Sequence, residues 1–512
     1  MAHLMSCHYF MQANKMDNAR EHAEQAIEYA RGVNQNQKSD NIAIESNITL
    51  CYALFHYGQI VGKLQGVEQS IPYKQEALSV ARSLHKNTNN PFSKENVIQR
   101  ICDLALNKTA QVGPSEAEVL FDEQLILARE LADELHIDQT RKLLIDIILH
   151  KAINCESVAG NSVARAYFEE ANTLATDLYE EKGDRQALIA VANCRYHLAS
   201  NYLDTGQLNI AEEVISEAIT LRRHLVKESD DSQSRLLLAA SLHCLAKISL
   251  RKNGVEIANS AYTEVIGLYQ DNYRRLKNTE NLLHLCSGLI NRANCLVTSK
   301  YPERAYVDLK RVIELVRIEH QEQNTFESKK ILCNGLLEVS QVIKRTADIK
   351  TAMNLSIEAV EIAREINTQE NSQTSRNNLC LSLSNHATLV IEHDSFAASL
   401  PWHEEALSIR EQAVQYEKTN ASQLNLFNSL VHYGDLKYRL NDPISSSVYY
   451  KKASQIINSL YEKHPTPKIT RALAFSNNRQ AYIENELYGP TASQAIYQNN
   501  LDFLCTLYDV VQ

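Results

Sequence analysis

The chain has 512 residues, with 52 Lys+Arg against 62 Asp+Glu and a formal net charge of −10 when histidine is neutral. Only 14 residues are Gly and 9 are Pro, which argues against an all-β sandwich or a Gly-rich nucleotide fold and favours long helices. Hydrophobic residues at 44% suffice for a buried core, and the mild acidity argues against a nucleic-acid scaffold, which needs a basic face.

The opening Met1-Ala-His-Leu-Met-Ser-Cys has neither the basic region nor the apolar stretch of a signal peptide. No window approaches 18 uncharged apolar residues; even Leu236 to Leu250 carries His243 and Lys247, so no membrane span is expected. The 11 cysteines are scattered and form no C-x-x-C pair. They read as small buried hydrophobes in a reducing, cytoplasmic setting, and no metal or cofactor is expected.

In chain order, one segment returns at a fixed spacing. Its first residue is Ala19, Ser70, Ala117, Ala164, Ala211, Ala258, Ala305, Ala352, Ser399, Ser446 and Ser493, with a first interval of 51 and then 47 throughout. Twelve residues earlier stand Cys7, Gly58, Ala105, Ala152, Ala199, Ala246, Ala293, Ser340, Ala387, Gly434 and Ala481. Both columns are small at every position; chance gives even one such column, in a given register, only on the order of once in ten million trials, and the second compounds it. Between them lies a turn at Asn14, Gly66, Gly113, Gly160, Gly206, Gly254, Pro302, Asp348, Asp394, Asn441 and Gly489. Gly and Asn there tolerate the left-handed conformation that ends a helix; Pro and Asp suit the start of the next. Each unit therefore reads as two helices, and units begin near 1, 44, 91, 138, 185, 232, 279, 326, 373, 420 and 467 of a single array over residues 1–512. A helix pair cannot bury its apolar face alone, so neighbouring pairs stack.

A third small position follows seven residues after the second, at Ala26, Ala77, Ala171, Ala218, Ala359, Ala406 and Ala453, and gives way at Gln124, Val265, Val312 and Asn500. With the two columns and the Gly turn, this pattern resembles the tetratricopeptide repeat. Segments such as WHEEALSIREQAVQYE from Trp402 look like its longer, kinesin-light-chain type. The period of 47 exceeds the usual repeat of about 34, and in place of the customary Pro stands a column of Arg31, Arg82, Arg129, Arg223, Arg317 and Arg364. The resemblance implies an all-α, open solenoid of about eleven antiparallel helix pairs. It also implies a right-handed superhelix whose first helices line a concave face suited to peptides or partner helices.

Candidate constellations divide into scaffold and surface. His56, His150, His197 and His432 share one register; neighbouring repeats hold them roughly 10 Å apart, too far for one metal ion. Asp230-Asp231 reads as helix caps, and no nucleophile elbow, Walker or dinucleotide motif is present. The Arg column suits helix C-termini and can cover apolar surface. Lys247 and Arg251, then Asn291 and Asn294, then Asn334, Gln341 and Arg345 fall at offsets that resemble the groove-facing positions of tetratricopeptide helices. Basic and amide groups there could hold a peptide backbone and an acidic side chain or C-terminal carboxylate, as in carboxylate-clamp members. The resulting expectation is a non-catalytic protein- or peptide-binding scaffold, with no nucleic acid or membrane partner. The alternative is a regulatory or sensor arm of a larger signalling protein, with a kinase or NTPase domain missing from this chain. Met1, Met5, Met11 and Met16 at one end and the apolar LDFLCTLYDVV from Leu501 at the other lead to the expectation that the ends are covered, by another domain or by a second copy in a homo-oligomer.

Overall fold

A computed structural model describes residues 2–12, 15–35, 40–111, 113–297, 302–346, 348–417, 419–463, 465 and 467–511. Asn14, Met1 and the side chains of 502–511 lie outside that description. Among the described residues there are 22 helices and no strand, an all-α helical-repeat solenoid. Two compact units are distinguished, Met1–Asn201 and Tyr202–Gln512.

The first unit holds α1 (Ala2–Gln12), α2 (Met16–Gln35), α3 (Asp40–Gln65), α4 (Val67–Thr88), α5 (Pro91–Gln111), α6 (Pro114–Leu135), α7 (Asp138–Val158), α8 (Asn161–Lys182) and most of α9 (Arg185–Asp204). The second holds α10 (Leu208–Glu228), α11 (Ser232–Arg251), α12 (Val255–Arg275), α13 (Thr279–Val297), α14 (Pro302–Gln323), α15 (Phe326–Ile343) and α16 (Ile349–Glu370). It continues with α17 (Gln373–His393), α18 (Phe396–Glu417), α19 (Asn420–Arg439), α20 (Pro443–Lys463), α21 (Pro467–Tyr488) and α22 (Pro490–Val511). Odd-numbered helices are the first of each pair and even-numbered ones the second.

Both small columns are buried throughout their described lengths, because a larger side chain there would hold the paired helices apart. Where the column is Ser, the hydroxyl is satisfied locally: Ser70 Oγ donates to Val67 O at 2.6 Å, Ser399 Oγ to Phe396 O at 2.8 Å and Ser446 Oγ to Gly434 O at 2.8 Å. The third column tolerates polar residues by the same means. Gln124 Nε2 donates to Ile98 O at 3.1 Å and Asn500 Nδ2 to Ala474 O at 3.2 Å, each reaching back 26 residues. Gly66, Gly113, Gly160, Gly206, Gly489 and Asn441 take positive φ in the turns. At one turn the left-handed residue is Asn253 (φ 61°) rather than Gly254, whose φ is −90°.

Successive pairs interlock by size. At several junctions, of a residue near the end of a second helix and one nineteen residues on, in the following first helix, one is large and the other small. Tyr269 meets Gly288, where an added Cβ would lie 3.1 Å from the Tyr269 ring. Val316 meets Gly335, where the same atom would lie 2.9 Å from Val316 Cγ1. Arg222 meets Ser241, and Ala128/Ile147 occupies the same register with the sizes reversed. Gly335 is therefore kept in a helix interior despite an entropic cost of about 1 kcal/mol relative to Ala. Gly335→Leu is expected to destabilise the second unit by about 3 kcal/mol, and adding Val316→Ala should recover much of it. Denaturant titration of the three chains checks this; a double variant no better than Gly335→Leu would contradict the interlock.

Candidate functional site

One stripe of each central first helix is only partly covered by its neighbours, at positions separated by 4, 3, 4 and 4 residues. Such spacing keeps to one helix face. On α11 the stripe is Leu236, Ala240, His243, Lys247 and Arg251; on α13 it is Leu283, Ser287, Ile290 and Asn294; on α15 it is Lys330, Asn334, Leu337 and Gln341, with Arg345 in the turn just past its end. Ile290 and Leu337 are buried in the core. Lys247, Arg251, Asn294, Asn334 and Arg345 are exposed, while Asn291 and Gln341 are half-buried.

These side chains are in different states of use. Arg251 Nη1 donates to the carbonyl of Leu203 in the last turn of α9, so this guanidinium caps a helix end. Asn291 Nδ2 lies 3.3 Å from Ser287 Oγ on its own helix. Gln341 Nε2 is buried without a hydrogen-bond partner. Lys247 and Arg345 have no ion-pair partner among the described residues. Burial, and then the Lys247 ammonium, push the His243 imidazole down to about 4, so it is neutral near pH 7. Surrounding protein raises the Glu338 carboxyl even though Glu338 touches solvent, as a side chain on the floor of a lined surface should. The stripe is thus rich in N–H donors, with Glu338 as a single carboxylate beside Asn334 and Gln341 on α15.

The tetratricopeptide repeat family model matches residues 192–224, the end of α9, its turn and most of α10. The match marks a tetratricopeptide-like repeat at those residues. Among solved structures, BtubC (BKLC) from P. vanneervenii is similar over 59% of this chain and 92% of its own, with 13% identity and a TM-score of 0.34. RapI in its apo form is similar over 82% of this chain and 99% of its own, with 11% identity and a TM-score of 0.42. A STAND signal-transduction ATPase with a tetratricopeptide repeat sensor, from Pyrococcus horikoshii, aligns over 88% of this chain and 66% of its own, with 11% identity and a TM-score of 0.38. No curated protein matches in sequence.

Elsewhere in the array one column of cations is consumed internally. Every member of the Arg column bridges a glutamate on the second helix of the following repeat: Arg31–Glu76 at 2.6 Å, Arg82–Glu123, Arg129–Glu170 at 2.7 Å, Arg223–Glu264 at 2.7 Å, Arg317–Glu358 at 2.8 Å and Arg364–Glu405 at 2.5 Å. Helix-end placement does not account for this column; pairing between repeats does. Each exposed pair contributes only about 0–1 kcal/mol, but the row fixes how neighbours are set against one another. Asp231 accepts from Ser234 N at 2.7 Å as the cap of α11, and Asp230 bridges Arg235 and Arg275.

The shared histidine register proves to be a packing position. His150 Nδ1 lies 3.6 Å from Cys102 Sγ, and His197 stacks on Phe168 at 6.1 Å between ring centroids. Among the described residues no group of three His, Cys, Asp or Glu is placed to hold a metal. Ten described cysteines are free thiols, all but Cys102 buried; burial pushes Cys7, Cys244 and Cys333 up to about 11, which makes them inert. No described helix is long and apolar enough to cross a membrane. Sequence reasoning missed His243 and Glu338, although the register placed both beside residues it had chosen.

Proposed function

We propose that this chain is a non-catalytic scaffold that binds a protein or peptide along the first-helix face of the second unit. The observation that carries the reading is a contrast in how cations are used. The outer arginines are spent on glutamates of the next repeat, whereas Lys247 and Arg345 stand exposed and unpaired on one face with Asn294 and Asn334. Amide groups at that spacing suit an extended backbone, and the two cations suit an acidic side chain or a C-terminal carboxylate. Arg251 supports the face from its edge, since its guanidinium is committed to Leu203.

The test uses the full chain against a peptide pool synthesised with free and with amidated C-termini. Lys247→Ala with Arg345→Ala should weaken the best binder by about tenfold, as loss of charge-assisted contacts does, with no change in melting temperature. Added salt should weaken the wild-type complex too. Arg251→Ala, by contrast, should lower the melting temperature as well. Unchanged affinity in the Lys247/Arg345 double variant would remove this face from the site.

A further inference from the structure

In the first unit, three positions of two successive repeats depart together from their columns. Lys74 on α4 stands where later repeats have Phe121, Phe168, Ile215 and Tyr262. Arg100 on α5 stands in the interlock register that otherwise carries Ile147, Cys194, Ser241 and Gly288. Asp103 stands in the register of His150 and His197. Gly58 on α3 makes room for the lysine: a Cβ there would lie 3.1 Å from Lys74 Cγ. Packing alone does not call for a charge at any of these positions, as the apolar and small residues of the other repeats show.

The two cations are buried, Asp103 is half-buried, and the charges are incompletely matched. Lys74 is 7% and Arg100 3% exposed. The Arg100 guanidinium lies 3.7 Å above the Phe55 ring and 5.5 Å from the Tyr52 ring, both half-buried on α3. Its Nη2 donates to Gln99 Oε1 at 3.3 Å, but its Nε and Nη1 are buried with no partner, and so is Asp103 Oδ2. Burial raises the Asp103 carboxyl against the pull of Lys74 and Arg100, and burial lowers Lys74 against the pull of Asp103. His56, beside them, is pushed down to about 4 by burial and then by Arg100, so near pH 7 it adds no charge. Two cations therefore face one carboxylate. An unpaired buried guanidinium is strongly unfavourable, and removing a single unit of positive charge would match the set.

We propose that this cluster binds one oxyanion, a carboxylate or a phosphate group, through the unused Nη1–H of Arg100, the neighbouring Nη2–H that Gln99 now occupies, and the Lys74 ammonium. Gln99, an exposed side chain, covers the guanidinium and moves aside to admit it. Phe55 holds the guanidinium plane in place, so that, once Gln99 has moved, Nη1–H and Nη2–H present the parallel geometry that an oxyanion accepts. The site is independent of the first-helix face of the second unit.

The full chain is titrated with inorganic phosphate and with acetate, each against chloride at equal ionic strength, by calorimetry and thermal unfolding. A saturable response above the chloride control is expected; acetate alone marks a carboxylate ligand and phosphate alone a phosphoryl ligand. Arg100→Met keeps a stem over Phe55 and should weaken anion binding by about tenfold or more. Without anion it should melt no lower than wild type, because an unmatched charge has gone. Asp103→Asn, which removes the competing carboxylate, should tighten binding and serves as the second variant if Arg100→Met fails to fold. No response beyond chloride in the wild type, or unchanged affinity in the variant that folds, overturns the proposal.

Discussion

Replacing Arg222 by alanine is expected to destabilise the second unit by about 3 kcal/mol. Arg222 is 2% exposed and fills the interlock between α10 and α11, where its Nη1 donates to Leu237 O at 2.6 Å and to Ser241 Oγ at 2.7 Å. The truncation opens a void and strips a buried carbonyl and hydroxyl of their donor, two costs that add. Ser241→Ile in the same chain should recover more than half of the loss. It rebuilds the small–large order that Ala128 and Ile147 carry in the same register. Denaturant unfolding of the single and double variants decides the matter. A double variant as unstable as Arg222→Ala would show that the interlock is specific to each repeat pair and not exchangeable.

Deleting residues 232–278, one complete period, should leave a folded helical protein, whereas deleting only 232–254 should not. The longer cut removes α11 and α12 together and brings α10 against α13. Arg222 then meets Gly288, which leaves it room, so the interlock still closes. Arg223 loses Glu264 and faces Arg311 in the same register, a like-charge contact at the surface that costs a few tenths of a kcal/mol. The shorter cut removes one helix and its turn, strands the buried face of α12 and reverses the alternation of every later helix. Because repeat arrays are stabilised between neighbours, the longer deletion should keep its helical circular dichroism and a cooperative melt. Equal loss of structure in the two deletions would refute the 47-residue period as the folding unit.

The helix pairs, their period and the small residues at their contacts were legible in the residues alone. Two helices can approach closely only where side chains are small, and a stacked array imposes that demand at the same place in every period. Ala246 and Ala293, or Ala258 and Ala305, therefore recur in register and stand out without any knowledge of the partner surface. The turn glycines were legible for a related reason, since a positive φ excludes most side chains; Asn253 in place of Gly254 shows that the choice between two adjacent candidates was not.

Charge partners belong to the tertiary structure. The arginine column is visible as a column, but its members could face solvent, helix ends or an acidic ligand; only the rotation of one repeat against the next brings Arg129 to Glu170 and Arg317 to Glu358. The same rotation commits Arg251 to the carbonyl of Leu203 and leaves Lys247 and Arg345 open. It also sets Arg100 against Phe55 with two N–H groups unused. Backbone periodicity is a local, repeated requirement and so is written into sequence spacing. The end of a long, flexible cation reaches several ångströms from its own helix, and what it meets there depends on which side chains the neighbouring repeats bring within reach.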